Sequence, residues 1–336
     1  MTQQMTQHSP MLVFDAMQAY QRTQALKAAI ELKLFTAIAS GTGTADALAV
    51  HCQASPKGVR VLADFLTVQG FLTKAGKTYS LTPDAAMFLV EGSPAYMGGM
   101  TNFLLHPFLK SASDDLAGVV RKGGTLLPAE GSVSPDNPIW EDFARGMMPM
   151  MMPAAQKIAD LTAGAGPMKV LDIAAGHGLF GIVVAQRNPE AVVHALDWKA
   201  VLAVARGHAQ QFGVGDRWHA LEGDAFQTGY GSDYDLALVT NFIHHFDFGT
   251  NVQLLKRVHA ALKPNGRMAI LEFAVNEDRL TPPGAATFAL TMLSSTQAGD
   301  AYSFNELEAM CHDAGFSDVA HHEVTSTPHS VSIATN

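Results

Sequence analysis

Apolar and polar positions change rhythm along the chain, and the changes divide it into parts. Over 16–34 apolar residues recur at helical spacing, Ala25, Leu26, Ala29, Ile30 and Leu34 among them, which predicts one continuous helix. Thr44 is placed to cap a second helix over 45–52. Ser55-Pro56 can open a third, with Val59, Leu62, Phe65 and Leu66 on one face. Gly70-Phe71-Leu72-Thr73 and Tyr79-Ser80-Leu81-Thr82 flank Lys74-Ala75-Gly76-Lys77, which reads as two short strands around a tight turn. Three helices followed by a hairpin form a winged-helix pattern. From about 93 to 166 the chain reads as helical, with breaks at Gly123-Gly124 and over 135–138. Met147, Met148, Met150, Met151 and Met152 crowd one stretch there. They suit a helix buried on several sides, and equally an adaptable wall around a flat ligand.

Beyond 168 the rhythm alternates. Strands are predicted over 169–173, 192–196, 218–222, 236–240 and 267–273. Helices are predicted over 179–187, 199–212, 252–262 and 305–314, and two strand-like runs close the chain. Such alternation predicts an α/β fold, a Rossmann-like domain whose mostly parallel sheet is covered on both faces. The expected organisation is a winged-helix-like helical domain over 1–110, a helical pocket-lining segment over 111–165 and an α/β domain over 166–336.

Composition narrows the class. Hydrophobic residues make up 48% and charged residues 16% of the 336, enough apolar material for a large core and against intrinsic disorder. Acidic residues outnumber basic ones, 31 to 22, which disfavours nucleic acid as the main partner. The third predicted helix offers phosphate only Lys57 and Arg60, against Asp64. Cys52 and Cys311 are too few for a disulfide scaffold or a cysteine-rich zinc module. The polar stretch 1–11 lacks the apolar core of a signal peptide. The longest apolar run, 170–185, is interrupted by Asp172, His177 and glycines, so no membrane span is expected. The expectation is a soluble, cytoplasmic protein.

The candidate chemistry starts where the first α/β strand meets its helix. Gly176, Gly178 and Gly181 spell the dinucleotide fingerprint, and Asp197 follows Gly176 by 21 positions, where a ribose-binding acid belongs. A nicotinamide or flavin nucleotide must therefore be weighed. Three features favour S-adenosylmethionine instead. Asp172 stands at the loop, where it repels a pyrophosphate but suits a cofactor bearing an amino group and a sulfonium. Asp224, in Glu222-Gly223-Asp224-Ala225-Phe226, can accept from an adenine amino group. The loop also sits so late in the chain that only one nucleotide-binding half can follow.

On these residues the chain resembles the class I S-adenosylmethionine-dependent methyltransferases, specifically the plant-type small-molecule O-methyltransferase family in a bacterial form. The resemblance runs over nearly the whole chain, including Glu31-Leu32-Lys33-Leu34-Phe35 and Trp140-Glu141-Asp142-Phe143. It implies that the N-terminal domain makes a homodimer. It implies cofactor contacts at Asp172, Gly176, Gly178, Asp197, Trp198, Asp224, Ala225, Phe226 and Asn241, with S-adenosylhomocysteine as product. Ala174 stands where a glycine is usual.

After the fourth α/β strand comes Asn241-Phe242-Ile243-His244-His245-Phe246-Asp247. A histidine at such a strand end can take a proton as a methyl group is transferred. The resemblance makes His244 the base and Glu272, 28 residues later, its orienting carboxylate. His245 replaces an aspartate and Phe246 a tryptophan. A second flanking glutamate would fall near Ala301, and a cofactor-side lysine at Thr240; both are missing. Read as an extended segment, His244 and His245 should point to opposite sides, a poor chelate. The later insertion has no further histidine and His321-His322 lies on a late, exposed strand, so no metal is expected. Phe103, Phe143, Met147, Met151, His245 and Met292 are the candidate acceptor pocket. The reading is a methyltransferase acting at a hydroxyl of a small aromatic or enolisable molecule. Its alternatives are C- or N-methylation of a 2-oxo-acid-like or heterocyclic substrate, and a cofactor-sensing winged-helix regulator.

Overall fold

The computed structural model describes residues 9–128, 131–134, 137–325 and 327–335. The chain divides into two compact units, Met1–Thr101 and Asn102–Asn336.

The first unit holds α1 (Met11–Glu31), α2 (Leu34–Ala39), α3 (Ala45–His51), α4 (Pro56–Val68), β1 (Leu72–Ala75), β2 (Thr78–Leu81) and α5 (Pro83–Phe88). The expected long first helix is interrupted: Lys33 takes φ 55°, in the left-handed region, and α2 starts afresh at Leu34. The break lets Leu34, Phe35 and Ile38 turn into the core with Leu48, Val59, Leu66 and Tyr79. Thr44 and Ser55 cap α3 and α4 as the sequence indicates, accepting from the amides of Ala47 and Gly58. The hairpin turn is tighter than expected, because Lys74 and Ala75 belong to β1 and pair with Tyr79 and Thr78. The early turns of α1 leave Leu12 81% and Met17 73% exposed, with Phe14 and Tyr20 beside them.

The second unit opens with short helices. α6 (Met100–Leu104) straddles the boundary, and α7 (Pro107–Ser111), α8 (Leu116–Lys122), α9 (Ile139–Gly146) and α10 (Met148–Thr162) follow. Then come β3 (Met168–Ile173), α11 (Leu179–Arg187), β4 (Ala191–Asp197), α12 (Lys199–Gln211), β5 (Trp218–Glu222), β6 (Tyr234–Thr240), α13 (Phe248–Ala261) and β7 (Leu262–Glu272). α14 (Pro283–Ser295), α15 (Phe304–Ala314), β8 (Asp318–Glu323) and β9 (Ser330–Thr335) complete it. The seven strands lie in the order β5-β4-β3-β6-β7-β9-β8. All pairs from β5 to β7 are parallel, while β9 runs antiparallel between β7 and β8. The strand order reverses between β3 and β6. There the connections leave to opposite faces and open a crevice at the carboxyl ends of the strands. The core under it is aliphatic, with Leu171, Ile173, Val239, Leu254 and Ile270 fully buried. His321 and His322, expected on an exposed strand, are half-buried on β8, and His321 meets the Ser332 hydroxyl on β9 at 2.7 Å. Among the described residues no helix is long and apolar enough to cross a membrane.

Gly181, the third glycine of the fingerprint, marks the closest approach of α11 to the sheet. A Cβ there would stand 2.7 Å from Val193 Cγ1 and 2.9 Å from Asp172 Oδ2. Gly181→Ala is therefore expected to destabilise the protein by about 1–3 kcal/mol, the usual range for overpacking. Denaturant unfolding checks it; an unchanged midpoint would contradict this packing.

Candidate active site

The glycine loop caps itself. Ala174, Gly176 and Gly178 all take positive φ, at 51°, 55° and 74°. The Ala174 value explains why glycine is the more natural residue there. The Gly176 N–H donates to Asp197 Oδ2 at 2.8 Å, and the Trp198 N–H to Asp197 Oδ1 at 2.7 Å. At the start of α11 the Gly181 N–H donates to Asp172 Oδ2 at 3.2 Å, and the Leu179 N–H to His177 Nδ1 at 3.1 Å. A pyrophosphate needs such amides free. Here side chains of the chain itself occupy them, two of those side chains acidic.

Burial pushes the Asp172 carboxyl up to about 8, against the Gly181 amide that lowers it and with Asp197 adding a little. Burial likewise pushes Asp197 up to about 6, against its two amide donors. Asp172 Oδ1 is buried without a partner, and so is Asn241 Oδ1 at the end of β6. Asn241 takes φ 52°, and its Nδ2 meets Met151 Sδ at 3.5 Å. Asp224 Oδ1 accepts from the Phe226 amide at 2.7 Å, next to the buried Ala225. The Phe226 ring lies 4.9 Å from that of Phe246. The crevice therefore presents unsatisfied acceptors and acids on neighbouring strand ends. That set fits a cofactor rich in N–H and O–H donors, with an ammonium and a ribose diol.

Across the crevice, His244 and Glu272 meet. His244 is 5% and Glu272 4% exposed. His244 Nδ1 lies 2.7 Å from Glu272 Oε2. Glu272 Oε1 also accepts from the amides of Phe242 at 3.0 Å and His244 at 3.3 Å. The carboxylate thus holds both the ring and the turn that carries it. That turn corrects the sequence reading. Ile243–His245 is a single 3₁₀ turn, not an extended segment, so the two imidazoles lie side by side with centroids 4.3 Å apart. With three residues per turn, successive side chains stand about 120° apart rather than on opposite sides of a strand, which lets the two rings meet. His245 is buried among Trp140, Phe242 and Phe246, and burial, helped by His244, holds its pKa well below the usual value.

Rings bring most of the expected pocket residues together. Phe103 contacts Phe143 at 5.2 Å and Trp140 at 6.0 Å, and Trp140 contacts His245 at 5.5 Å. Met147 follows Phe143 by one turn, its N–H on the Phe143 carbonyl. Met151 joins through Asn241. Met292 is buried in α14, one turn after Phe288, whose ring meets His244 edge-on at 4.9 Å. Trp140, Phe288 and Phe273, which stacks on Phe288 at 3.8 Å, were not singled out as pocket residues from the sequence. Only the helical spacing of Phe288 to Met292 could have pointed to one of them.

Known proteins were compared with this chain. An O-methyltransferase domain model matches residues 131–317, and an O-methyltransferase dimerisation domain model matches residues 14–91. A solved structure of a candidate O-methyltransferase from Nostoc punctiforme is 47% identical, covers 98% of this chain and 100% of its own, and has a TM-score of 0.95.

The chain belongs to the O-methyltransferase family.

A Streptomyces sahachiroi 3-hydroxy-5-methyl-1-naphthoate 3-O-methyltransferase is 27% identical, over 92% of this chain and 90% of its own length. The mouse acetylserotonin O-methyltransferase is 28% identical, over 91% and 83%. The fold of the human N-acetylserotonin methyltransferase agrees at a TM-score of 0.85, with 22% identity and coverage of 100% of this chain and 99% of that one. Membership makes the protein a methyltransferase, an enzyme whose methyl donor is S-adenosylmethionine. The capped loop then makes a clear expectation. S-adenosylhomocysteine should bind in calorimetry and NAD should not; NAD binding in its place would overturn this account of the loop.

Proposed function

We propose that this enzyme methylates a hydroxyl of a small, flat, largely apolar aromatic molecule, with His244 as general base and Glu272 as its orienting partner. The observation that carries the proposal is the 2.7 Å contact between His244 Nδ1 and the buried Glu272 carboxylate. A carboxylate at Nδ1 keeps the proton there, so the neutral ring presents Nε2 as the base. Bound S-adenosylmethionine supplies an already activated methyl group, so the chain has to align the acceptor and take up one proton. As the acceptor oxygen bonds the methyl carbon and the sulfonium–carbon bond breaks, leaving neutral S-adenosylhomocysteine, His244 Nε2 would receive the hydroxyl proton and Glu272 would stabilise the resulting imidazolium. Phe103, Phe143, Met147, Met151, His245 and Met292 form the acceptor wall in this reading. The aromatic acceptors named for the bacterial and mouse relatives favour the same substrate class.

On the donor side, Asp197 serves the ribose, with Gly176 and Gly178 giving backbone access and Asp172 and Asn241 offering acceptors to the ammonium. Asp224, Ala225, Phe226 and Trp198 surround the adenine. The first unit makes the homodimer, a reading supported by the dimerisation model and by the exposed apolar start of α1. The acidic balance favours a cytoplasmic enzyme without a nucleic-acid partner.

His244→Ala is expected to leave S-adenosylhomocysteine binding intact and to cut turnover by about 10²–10⁴-fold, the usual worth of a positioned base. Glu272→Gln should cost less turnover, because it orients without taking the proton, yet it should lower the melting temperature. Rate measurements with a panel of phenols test this. A His244→Ala enzyme within a few-fold of wild type would mean that alignment alone suffices.

Asp197→Ala should weaken cofactor binding by about 1.5–3 kcal/mol, the size of a charge-assisted hydrogen bond. A pH dependence accompanies binding. Without ligand, Asp172 keeps its proton below about 8. Pairing with an ammonium needs the carboxylate, so binding expels that proton and affinity should rise as pH climbs toward 8. Calorimetry in two buffers of different ionisation enthalpy reads the released proton; its absence would remove Asp172 from the ammonium site.

A further inference from the structure

His177 sits between Gly176 and Gly178, and neither the proton transfer nor the ribose site uses it. It is 1% exposed. Its Nδ1 accepts from the Leu179 amide at 3.1 Å, which fixes the tautomer and leaves the proton on Nε2. That Nε2–H is buried with no partner. The ring cannot turn to find one, because it stacks on Phe143 at 5.6 Å and packs against Phe180 at 5.4 Å. Burial also holds its pKa down to about 3, so it remains a neutral donor across the working range. A buried donor left unsatisfied costs about 1–3 kcal/mol, which a ligand group can recover.

Complementarity identifies the group. Once Asp172 has given up its proton, the other unpartnered buried atoms around the loop, Asp172 Oδ1 and Asn241 Oδ1, are acceptors. The backbone amides of Gly176, Leu179 and Gly181 already donate to side chains. The amino-acid end of the cofactor carries an ammonium, which suits the acceptors, and a carboxylate, which needs a donor. Other unpartnered buried side-chain atoms able to donate lie off the loop: Trp218 Nε1 at the start of β5, Arg257 Nε on α13, Ser132 Oγ, and ring nitrogens of His194, His245, His321 and His329. We propose that His177 is a cofactor-binding residue whose Nε2–H donates to the carboxylate at the amino-acid end of S-adenosylmethionine. The inference rests on the cofactor assignment above. It also gives Phe143 a second task, holding the imidazole flat against the loop while its other contacts face the acceptor rings.

The test compares three probes on the full-length protein by calorimetry: S-adenosylhomocysteine, its decarboxylated analogue, and 5′-methylthioadenosine. His177→Phe keeps the ring stack and removes both nitrogens. It should weaken S-adenosylhomocysteine by about 10- to 100-fold, the worth of a hydrogen bond to a charged group. The two carboxylate-free probes should bind wild type and variant alike. Equal losses for all three would mean that His177 only shapes the loop, and an unchanged S-adenosylhomocysteine affinity would also overturn the proposal. A second readout needs no variant. The His177 Nε2–H proton resonance should move downfield when S-adenosylhomocysteine is added and stay in place with 5′-methylthioadenosine; equal responses to both ligands count against it. Wild type that binds none of the probes would instead remove the cofactor assignment, and this inference with it.

Discussion

The buried carboxylate of Glu272 organises the acceptor side of the crevice. It ends β7, yet most of what it holds comes after β6. Its two oxygens accept from the amides of Phe242, His244 and Phe273 and meet the His244 ring. Four contacts are what a carboxylate needs to stand 4% exposed, since an unpaired buried charge is very costly. The same contacts bend Ile243–His245 into its turn, orient the imidazole and bring the two histidines side by side. Base geometry and local fold are therefore one constraint. Removing the carboxylate would lose both.

Around this pair the acceptor side of the crevice is lined largely by rings. His245 is kept neutral by burial beside His244 and the surrounding rings. His329, whose ring lies 4.1 Å from that of Phe273, is held by burial down to about 4. Phe273 and Phe288 then carry the aromatic surface to the edge of His244. In such surroundings little water competes with the His244–Glu272 contact, and electrostatic interactions count for more than in solvent. The donor side is the reverse: acids on neighbouring strand ends, lifted by burial and partly capped by the loop's own amides. One edge of one sheet thus offers an acidic half for a cationic donor and an aromatic half for a flat acceptor.

Much of this was legible in the sequence, for local reasons. α11 and β5 begin and end where periodicity put them, because a glycine loop precedes one and Gly223 ends the other. Asp172 and Asp197 stand at the ends of parallel strands that face one crevice, and the pairing of His244 with Glu272 was indicated by the family resemblance. What could not be read depends on contacts between distant elements or on a single backbone angle. The left-handed Lys33 breaks the first long helix with no glycine or proline to announce it. The turn at Ile243–His245 exists because a carboxylate 28 residues onward accepts its amides. Trp140 and Phe288 join the ring cluster around His244 and His245 from α9 and α14; the sequence reading placed Trp140 only within a broad helical stretch and predicted no helix around Phe288.

The departures from the family pattern acquire a physical meaning in this setting. Where a second carboxylate would flank the base, Ala301 is buried, and its carbonyl accepts from Arg279, which also pairs with Glu306. That stretch is therefore anchored by a cation on backbone, with Ala301 itself carrying no acid. Thr240, where a lysine would stand on the cofactor side, is buried at the end of β6. Both changes remove a charge from the crevice. In the mechanism we propose, His244 with one carboxylate behind it has less support for an imidazolium than it would from two. On that proposal the best-matched acceptors are those whose hydroxyl gives up its proton readily, and extended aromatic or enolic hydroxyls do so more easily than an isolated alcohol. The missing charges and the aromatic wall thus select in the same direction.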